Sequence, residues 1–234
     1  GKMKDMLYSR KIFDKHIANF TSNDFSMLLE LGPGDSASTA IYANQSGFKE
    51  VNLVENGDTI EKKIFIYNEI IDSFSSFEQL LNTTNCNIKT NGLKDMKVMP
   101  SLSASFVFSN SVLQHVFINE IEEYFFQLYR ISKYNTQQSH TIDFKDMFSG
   151  EFNHLKIPTL LWESKAMKNS GFYTNRIRFI DFIALFNAVG FNVKKVVIRL
   201  INSKREVVFN DVCEYTGVDF SLISSVDFVL FKGE

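Results

Sequence analysis

Apolar and polar positions alternate along the chain with two different periods, and the switch between them marks out its elements. Ile12, Phe13, His16, Ile17 and Phe20 fall on one face of a 3.6-residue repeat, which predicts a helix over the first twenty residues. Ser26 to Leu31 is then a short apolar run stopped by Gly32-Pro33-Gly34, the pattern of a strand buried on both faces. Asp35 and Ser36 can cap a helix from Ser38 that Gly47 ends. Val51 to Glu55 predicts a second strand, and Thr59 to Leu81 one long helix. Strands are predicted over Asn87–Thr90, Ala104–Phe108, Ser139–Phe144, Asn192–Leu200 and Val226–Phe231, with helices over Ile118–Ser132 and Phe179–Ala188. Strands alternating with helices in this way imply an α/β fold with a mostly parallel sheet, helices on both of its faces.

Two stretches fall outside the alternation, residues 146–178 and 202–225. Segments this long inside a compact fold usually carry function, so both are expected to be substrate-side insertions into one domain of residues 1–234. Among the aromatic residues, Tyr124-Phe125-Phe126 would either cover the sheet or form a homodimer contact.

Composition narrows the function classes. With 44% hydrophobic and 22% charged residues the chain is an ordinary globular one. A net charge of −2 with no Lys/Arg stripe argues against nucleic acid as a partner. No apolar run approaches the ~18 residues of a membrane span, and no apolar segment follows a basic start, so a cytoplasmic location is expected. Cys86 and Cys213 match no zinc or redox spacing and are expected to be free thiols; no metal ligands are assigned, and a weak divalent-metal site at Asp143 and Asp146 stays open.

The chemistry-bearing turn is Glu30-Leu31-Gly32-Pro33-Gly34-Asp35-Ser36, at the carboxyl end of a strand and the start of a helix, where open parallel sheets bind ligands. Gly32 and Gly34 allow close backbone approach. Glu55 ends the next strand about twenty residues on, where a carboxylate can accept hydrogen bonds from ribose hydroxyls. A phosphate-binding P-loop is excluded because no Gly-Lys-Ser/Thr follows.

Leu29 to Ser36 resembles motif I of class I S-adenosylmethionine-dependent methyltransferases, and Phe106 to Val116, with Ser109-Asn110-Ser111-Val112-Leu113-Gln114-His115-Val116, resembles their motif IV region. The third glycine of dinucleotide dehydrogenases is missing at Ser36-Ala37-Ser38, as is a Tyr-x-x-x-Lys pair, which disfavours an NAD enzyme. The resemblance implies a Rossmann-like sheet of seven strands with an antiparallel last strand. It also implies S-adenosylmethionine as cofactor, S-adenosylhomocysteine as product, and cofactor contacts for Glu30, Gly32, Pro33, Gly34, Asp35, Ser36, Glu55, Asn91, Gly92, Leu93, Asn110 and Ser111. The strand before Asn110 departs from the family in lacking its usual acidic residue.

Ser139 to Asp146 resembles a "H-x-I-D-x-x-D-H" segment of methyltransferases from bacterial surface-polysaccharide gene clusters, with Met147 in place of the last His; Asn175-Arg176-Ile177-Arg178 is similar to another segment of that group. This implies a sugar or nucleotide-sugar hydroxyl as acceptor. A hydroxyl needs a base as it attacks, and His115, His140 and Asp143 are the candidates. Asp146, Trp162, Asn175 and Arg176 are candidate substrate contacts, three of them with a structural alternative: turn capping for Asp146, core packing for Trp162, an ion pair for Arg176. Two other functions stay open, N-methylation of an amino sugar or small amine, and cofactor binding without turnover.

Overall fold

A computed structural model of the chain describes residues 2–71, 73–201, 203, 206–210 and 218–234. In chain order they form α1 (Met6–Ile17), β1 (Met27–Leu31), α2 (Ser38–Gln45), β2 (Glu50–Val54), α3 (Ile64–Asn68), α4 (Phe77–Thr83), β3 (Cys86–Lys89), α5 (Leu93–Val98) and β4 (Ala104–Asn110). There follow α6 (Ile121–Ile131), β5 (Ser132–Asp143), α7 (Thr159–Trp162), α8 (Lys165–Lys168), α9 (Phe179–Ala188), β6 (Asn192–Leu200), β7 (Glu206–Asn210) and β8 (Ile223–Lys232). The strand order is β3-β2-β1-β4-β5-β8-β6-β7, a mixed sheet of eight. No helix among the described residues is long and apolar enough to cross a membrane.

The chain divides into two compact units, the first made of Gly1–Asn110, Gln127–Ser139 and Lys232–Glu234, the second of Ser111–Phe126 and His140–Phe231. In the first unit β1 pairs in parallel with β2 on one side and β4 on the other, and β2 pairs with β3. Every residue of β1 is buried, as expected of a strand with a layer on each face. Asp5 caps α1 by accepting from the Leu7 and Tyr8 amides, and α1 buries Ile12, Phe13 and His16. The His16 ring stacks on Phe108 and its Nδ1 lies 2.8 Å from Ser139 Oγ, a satisfied core histidine. Ala37, Ala40 and Ala43 let α2 lie close against the sheet, and Phe20, Phe25, Phe48 and Phe106 interlock beside it.

The second unit has its own aromatic core, with Phe125, Phe182, Phe186 and Phe228 in mutual contact. Tyr124 and Phe125 are buried in it, whereas Phe126 is exposed. β6 runs antiparallel to both β7 and β8, and Arg199 on β6 ties to Glu206 and Asp227, both at 2.7 Å.

Three expectations need correcting. The sheet has eight strands, because Glu206–Asn210, within the expected insertion 202–225, forms an edge strand on β6. The single helix expected over 59–81 is two short ones: Asn68 bonds the Phe74 amide and carbonyl, turning the chain, and Ser76 then caps α4 through the Gln79 amide. β5 starts at Ser132, seven residues earlier than predicted, because its polar side chains find partners: Lys133 reaches Asp24 and Ser26, and Gln138 reaches Ser132. Cys86 is a buried free thiol, while Cys213 lies outside the described residues.

Candidate functional site

The first unit gathers its chemistry where β1, β2 and β3 end. Gly32 (φ 64°) and Gly34 (φ 70°) are both left-handed, which side chains resist. The Gly32 amide donates to Val54 O at 2.8 Å, and the Gly34 amide donates to Glu55 Oε2 at 3.0 Å. Glu55 therefore grips the turn that Gly34 forms. Its backbone also receives the Gly92 amide at 2.9 Å, and Asn56 bridges to Asn91. Gly92, again left-handed at φ 52°, opens α5 before Leu93; a Cβ there would come within 3.6 Å of Asn56. Asn91 is held by Asp95, through its amide at 2.8 Å and its side chain.

Behind the turn, Glu30 is fully buried. Burial pushes its carboxyl up to about 8; Thr39 opposes the rise by hydrogen bonding and the Glu55 charge adds to it. Its Oε2 has no hydrogen-bond partner among the described residues. Buried Pro33 sits between the two glycines. Asp35 is buried beside Lys4 (3.9 Å), and its carbonyl receives the Glu61 amide. Ser36 accepts from the Ser38 amide at 3.1 Å. Asn110 closes β4 with Oδ1 accepting from Lys15 Nζ at 3.1 Å. The turn and Glu55, linked in expectation by their spacing, come together with Asn91 and Gly92, which the resemblance implied. Lys4, Lys15 and Asn56 join the same face with no motif to announce them.

In the second unit, Ser111 is left-handed (φ 59°) and its amide donates to Thr141 O at 2.8 Å. His115 Nδ1 lies 2.8 Å from the Tyr173 carbonyl. A carbonyl only accepts, so Nδ1 carries the proton and Nε2 is the basic nitrogen. A narrow pocket is lined by Gln114, Asp143, His154, Thr174, Arg176 and Arg178 among others. Asp143 accepts from the Lys145 amide at 2.9 Å and pairs with its ammonium at 3.4 Å.

Four candidates have structural surroundings. His140 has no exposed surface, stacks on Phe186, and burial drives its imidazole down to about 3. Asp146 is buried: desolvation would push its carboxyl up, but the amides of Ser149, Phe148 and Asn153 with the Ser149 hydroxyl hold it down at about 2. It organises the turn after β5. Trp162 is completely buried, donating from Nε1 to Thr174 O at 2.6 Å, with the Arg176 guanidinium 4.5 Å over its ring. Asn175 is buried and ties to the carbonyls of Leu113 (2.8 Å) and Val116 (3.1 Å), fixing the loop around His115. Among the described residues no three His, Cys, Asp or Glu gather as a metal set.

No protein-family model matches the chain, and no curated protein does. Solved structures do match. A methyltransferase of Archaeoglobus fulgidus, described as dependent on S-adenosylmethionine, superposes with a TM-score of 0.57 at 12% identity, over 98% of this chain and 94% of its own. The fold is that of S-adenosylmethionine-dependent methyltransferases. Phosphoethanolamine N-methyltransferase 2 of Haemonchus contortus, solved with S-adenosylmethionine, matches with a TM-score of 0.59 at 10% identity, over 96% of this chain and 53% of its own. The [4+2]-cyclase SpnF matches with a TM-score of 0.58 at 9% identity, over 95% and 80%. A fold shared with a cyclase does not by itself assign methyl transfer.

Proposed function

We propose that this chain is an S-adenosylmethionine-dependent methyltransferase acting on a hydroxyl of a sugar or glycan precursor. The observation that carries the cofactor assignment is the assembly of the Gly32–Gly34 turn with Glu55, Asn91 and Gly92 at the ends of β1, β2 and β3. The donor set fits the cofactor. The glycines leave the turn without side chains, Glu55 offers a carboxylate to the ribose hydroxyls, and the orphaned Glu30 Oε2 can receive the amino group of the methionine end. Bound there, the cofactor supplies an electrophilic methyl group.

The chain's own residues supply the rest. His115 Nε2 would be the base that takes the proton of an acceptor hydroxyl. Its tautomer is set by the Tyr173 carbonyl, and Asn175 holds the loop it stands on. No base role is proposed for His140, whose enclosed ring meets no solvent. The sugar assignment is supported by the resemblance of the segment from His140 to Arg178 to polysaccharide-cluster enzymes. Methylation of an amine is the second reading, favoured by the N-methyltransferase among the similar structures. Cofactor binding without methyl transfer is the third, since the cyclase shares the fold.

Calorimetric titration with S-adenosylhomocysteine tests the first claim. Micromolar binding is expected, lost by 100-fold or so in Glu55→Ala, with none to NAD. A folded protein that ignores S-adenosylhomocysteine refutes the proposal. Labelled methyl transfer to matched panels of sugars, amino sugars and amines then separates the three readings.

A further inference from the structure

The pocket of the second unit holds more hydrogen-bonding capacity than the protein uses. Arg176 buries Nε and Nη2, and Arg178 buries Nη1, with no partner for any of them among the described residues. Arg178 spends only Nη2, on the carbonyls of Ser221 (3.3 Å) and Ile223 (3.2 Å). The neighbouring carboxylates hydrogen-bond elsewhere, Asp143 with Lys145, Asp146 with the turn amides and Glu163 with Lys168 and Tyr173, although the Glu163 charge still reaches Arg176. Buried N–H groups on two guanidiniums are therefore left without a hydrogen-bond partner among the described residues. Leaving them so is costly unless something else completes them.

Two further side chains agree. Thr174 is 4% exposed and Gln114 5% exposed, both line the pocket, and neither Thr174 Oγ1 nor Gln114 Oε1 has a partner among the described residues. The threonine hydroxyl can donate beside the guanidinium groups, while the glutamine oxygen can only accept. The backbone is bent to this arrangement. Arg176 is left-handed at φ 61°, a conformation that costs a side-chain-bearing residue, and Asn175 beside it is locked by three hydrogen bonds to residues 113–116. Trp162 supports the guanidinium from one face, leaving its edge for a planar or tetrahedral anion.

We infer that this pocket binds an oxyanion, a phosphate or a carboxylate, on a ligand that also carries a hydroxyl or N–H donor beside it. Arg176, Arg178 and Thr174 donate to the oxyanion, and Gln114 accepts from the neighbouring donor. That the ligand is the methyl acceptor rests on the function proposed above; that the pocket takes an oxyanion does not.

The test titrates the full chain at constant ionic strength with inorganic phosphate, sulfate and acetate, read by calorimetry, alongside S-adenosylhomocysteine. Saturable binding of phosphate and sulfate points to a phosphorylated ligand, and preference for acetate to a carboxylate. Arg176→Gln is expected to weaken the preferred anion roughly 10- to 100-fold, from the loss of a charge-assisted pair. Thr174→Val, which removes no hydrogen bond made within the protein, is expected to weaken it several-fold and keeps the test decisive should Arg176→Gln fail to fold. Equal affinity in wild type and both variants, or no saturable binding of any of the three anions, overturns the inference. S-adenosylhomocysteine binding in that case leaves the cofactor proposal standing. Anion binding without S-adenosylhomocysteine binding sinks the methyltransferase proposal and leaves the anion pocket intact.

Discussion

The turn after β1 is backbone held by backbone and by one carboxylate, whereas the pocket lined by Arg176 and Arg178 is side chains propped up by backbone. In the turn, the Gly32 and Gly34 amides are already bonded, to Val54 O and Glu55 Oε2. In the pocket, five buried donor or acceptor atoms on Gln114, Thr174, Arg176 and Arg178 have no partner among the described residues. A site made of main chain presents one shape, suited to a ligand that never varies. A site made of unsatisfied side chains is incomplete until its ligand arrives, which suits the partner that gives the reaction its specificity.

The largest effect expected from breaking this contrast is at Trp162. Fully enclosed, bonded to Thr174 O and stacked under Arg176, it supports the pocket from beneath. Trp162→Ala should cost about 3–5 kcal/mol of stability from cavity formation and a lost hydrogen bond. At low temperature the variant should still bind S-adenosylhomocysteine with wild-type affinity while losing oxyanion binding. Parallel loss of both ligands, or a melting temperature that does not move, contradicts the assignment of Trp162 to the pocket's support.

That contrast also explains what the sequence could reveal. The glycine turn and Glu55 were legible because their function depends on where backbone lies, and a strand, two glycines and a second strand end fix that locally. Gly92 came from the resemblance to the methyltransferases and not from local spacing. Trp162, Asp146 and Asn175 read equally well as ligand contacts or as structure, because nothing in a sequence says whether a side chain has spent its hydrogen bonds. Asp146 spends them on its own turn and Asn175 on a loop about sixty residues away. Gln114, Thr174 and Lys15 carry no pattern at all; only the folded chain brings them to a site. In the fold, β7 was hidden because an edge strand needs little burial: Val208 is half exposed, and Glu206 pairs outward with Arg199.

Glu30 offers a sharper probe of the first region. Its carboxyl titrates near 8 in the folded chain against an ordinary 4.5, so between those values the folded state keeps a proton that the unfolded state has lost. Its contribution to stability therefore falls as pH rises from about 4.5 to about 8 and is level beyond. Glu30→Gln, which cannot titrate, should match wild type near pH 4.5 and gain on it steadily, up to roughly 4–5 kcal/mol by pH 8. Denaturant midpoints at several pH values check this. Parallel pH profiles for the two proteins mean that Glu30 is charged in the fold. The same variant should bind S-adenosylhomocysteine more weakly above about pH 8, where the wild-type carboxylate carries a charge that the amide lacks.

The smallest effect separates two reasons for a glycine at position 34. If the backbone conformation alone requires it, the penalty should follow tolerance of the left-handed region. Gly34→Ala should cost about 1–2 kcal/mol, because alanine resists φ 70°. Gly34→Asn should cost less, since asparagine visits that region readily. If open space is the requirement instead, the larger asparagine should be the worse of the two. A Cβ here already meets Met3 Cγ at 3.4 Å, a flexible side chain that can yield by a few tenths of an ångström, so stability should rank Asn above Ala. Affinity for S-adenosylhomocysteine should rank the other way if the cofactor proposed for this turn uses the space that a side chain at position 34 would fill. Opposite orders in melting and in binding would show that the glycine serves the fold by its dihedral angle and the cofactor by its missing side chain.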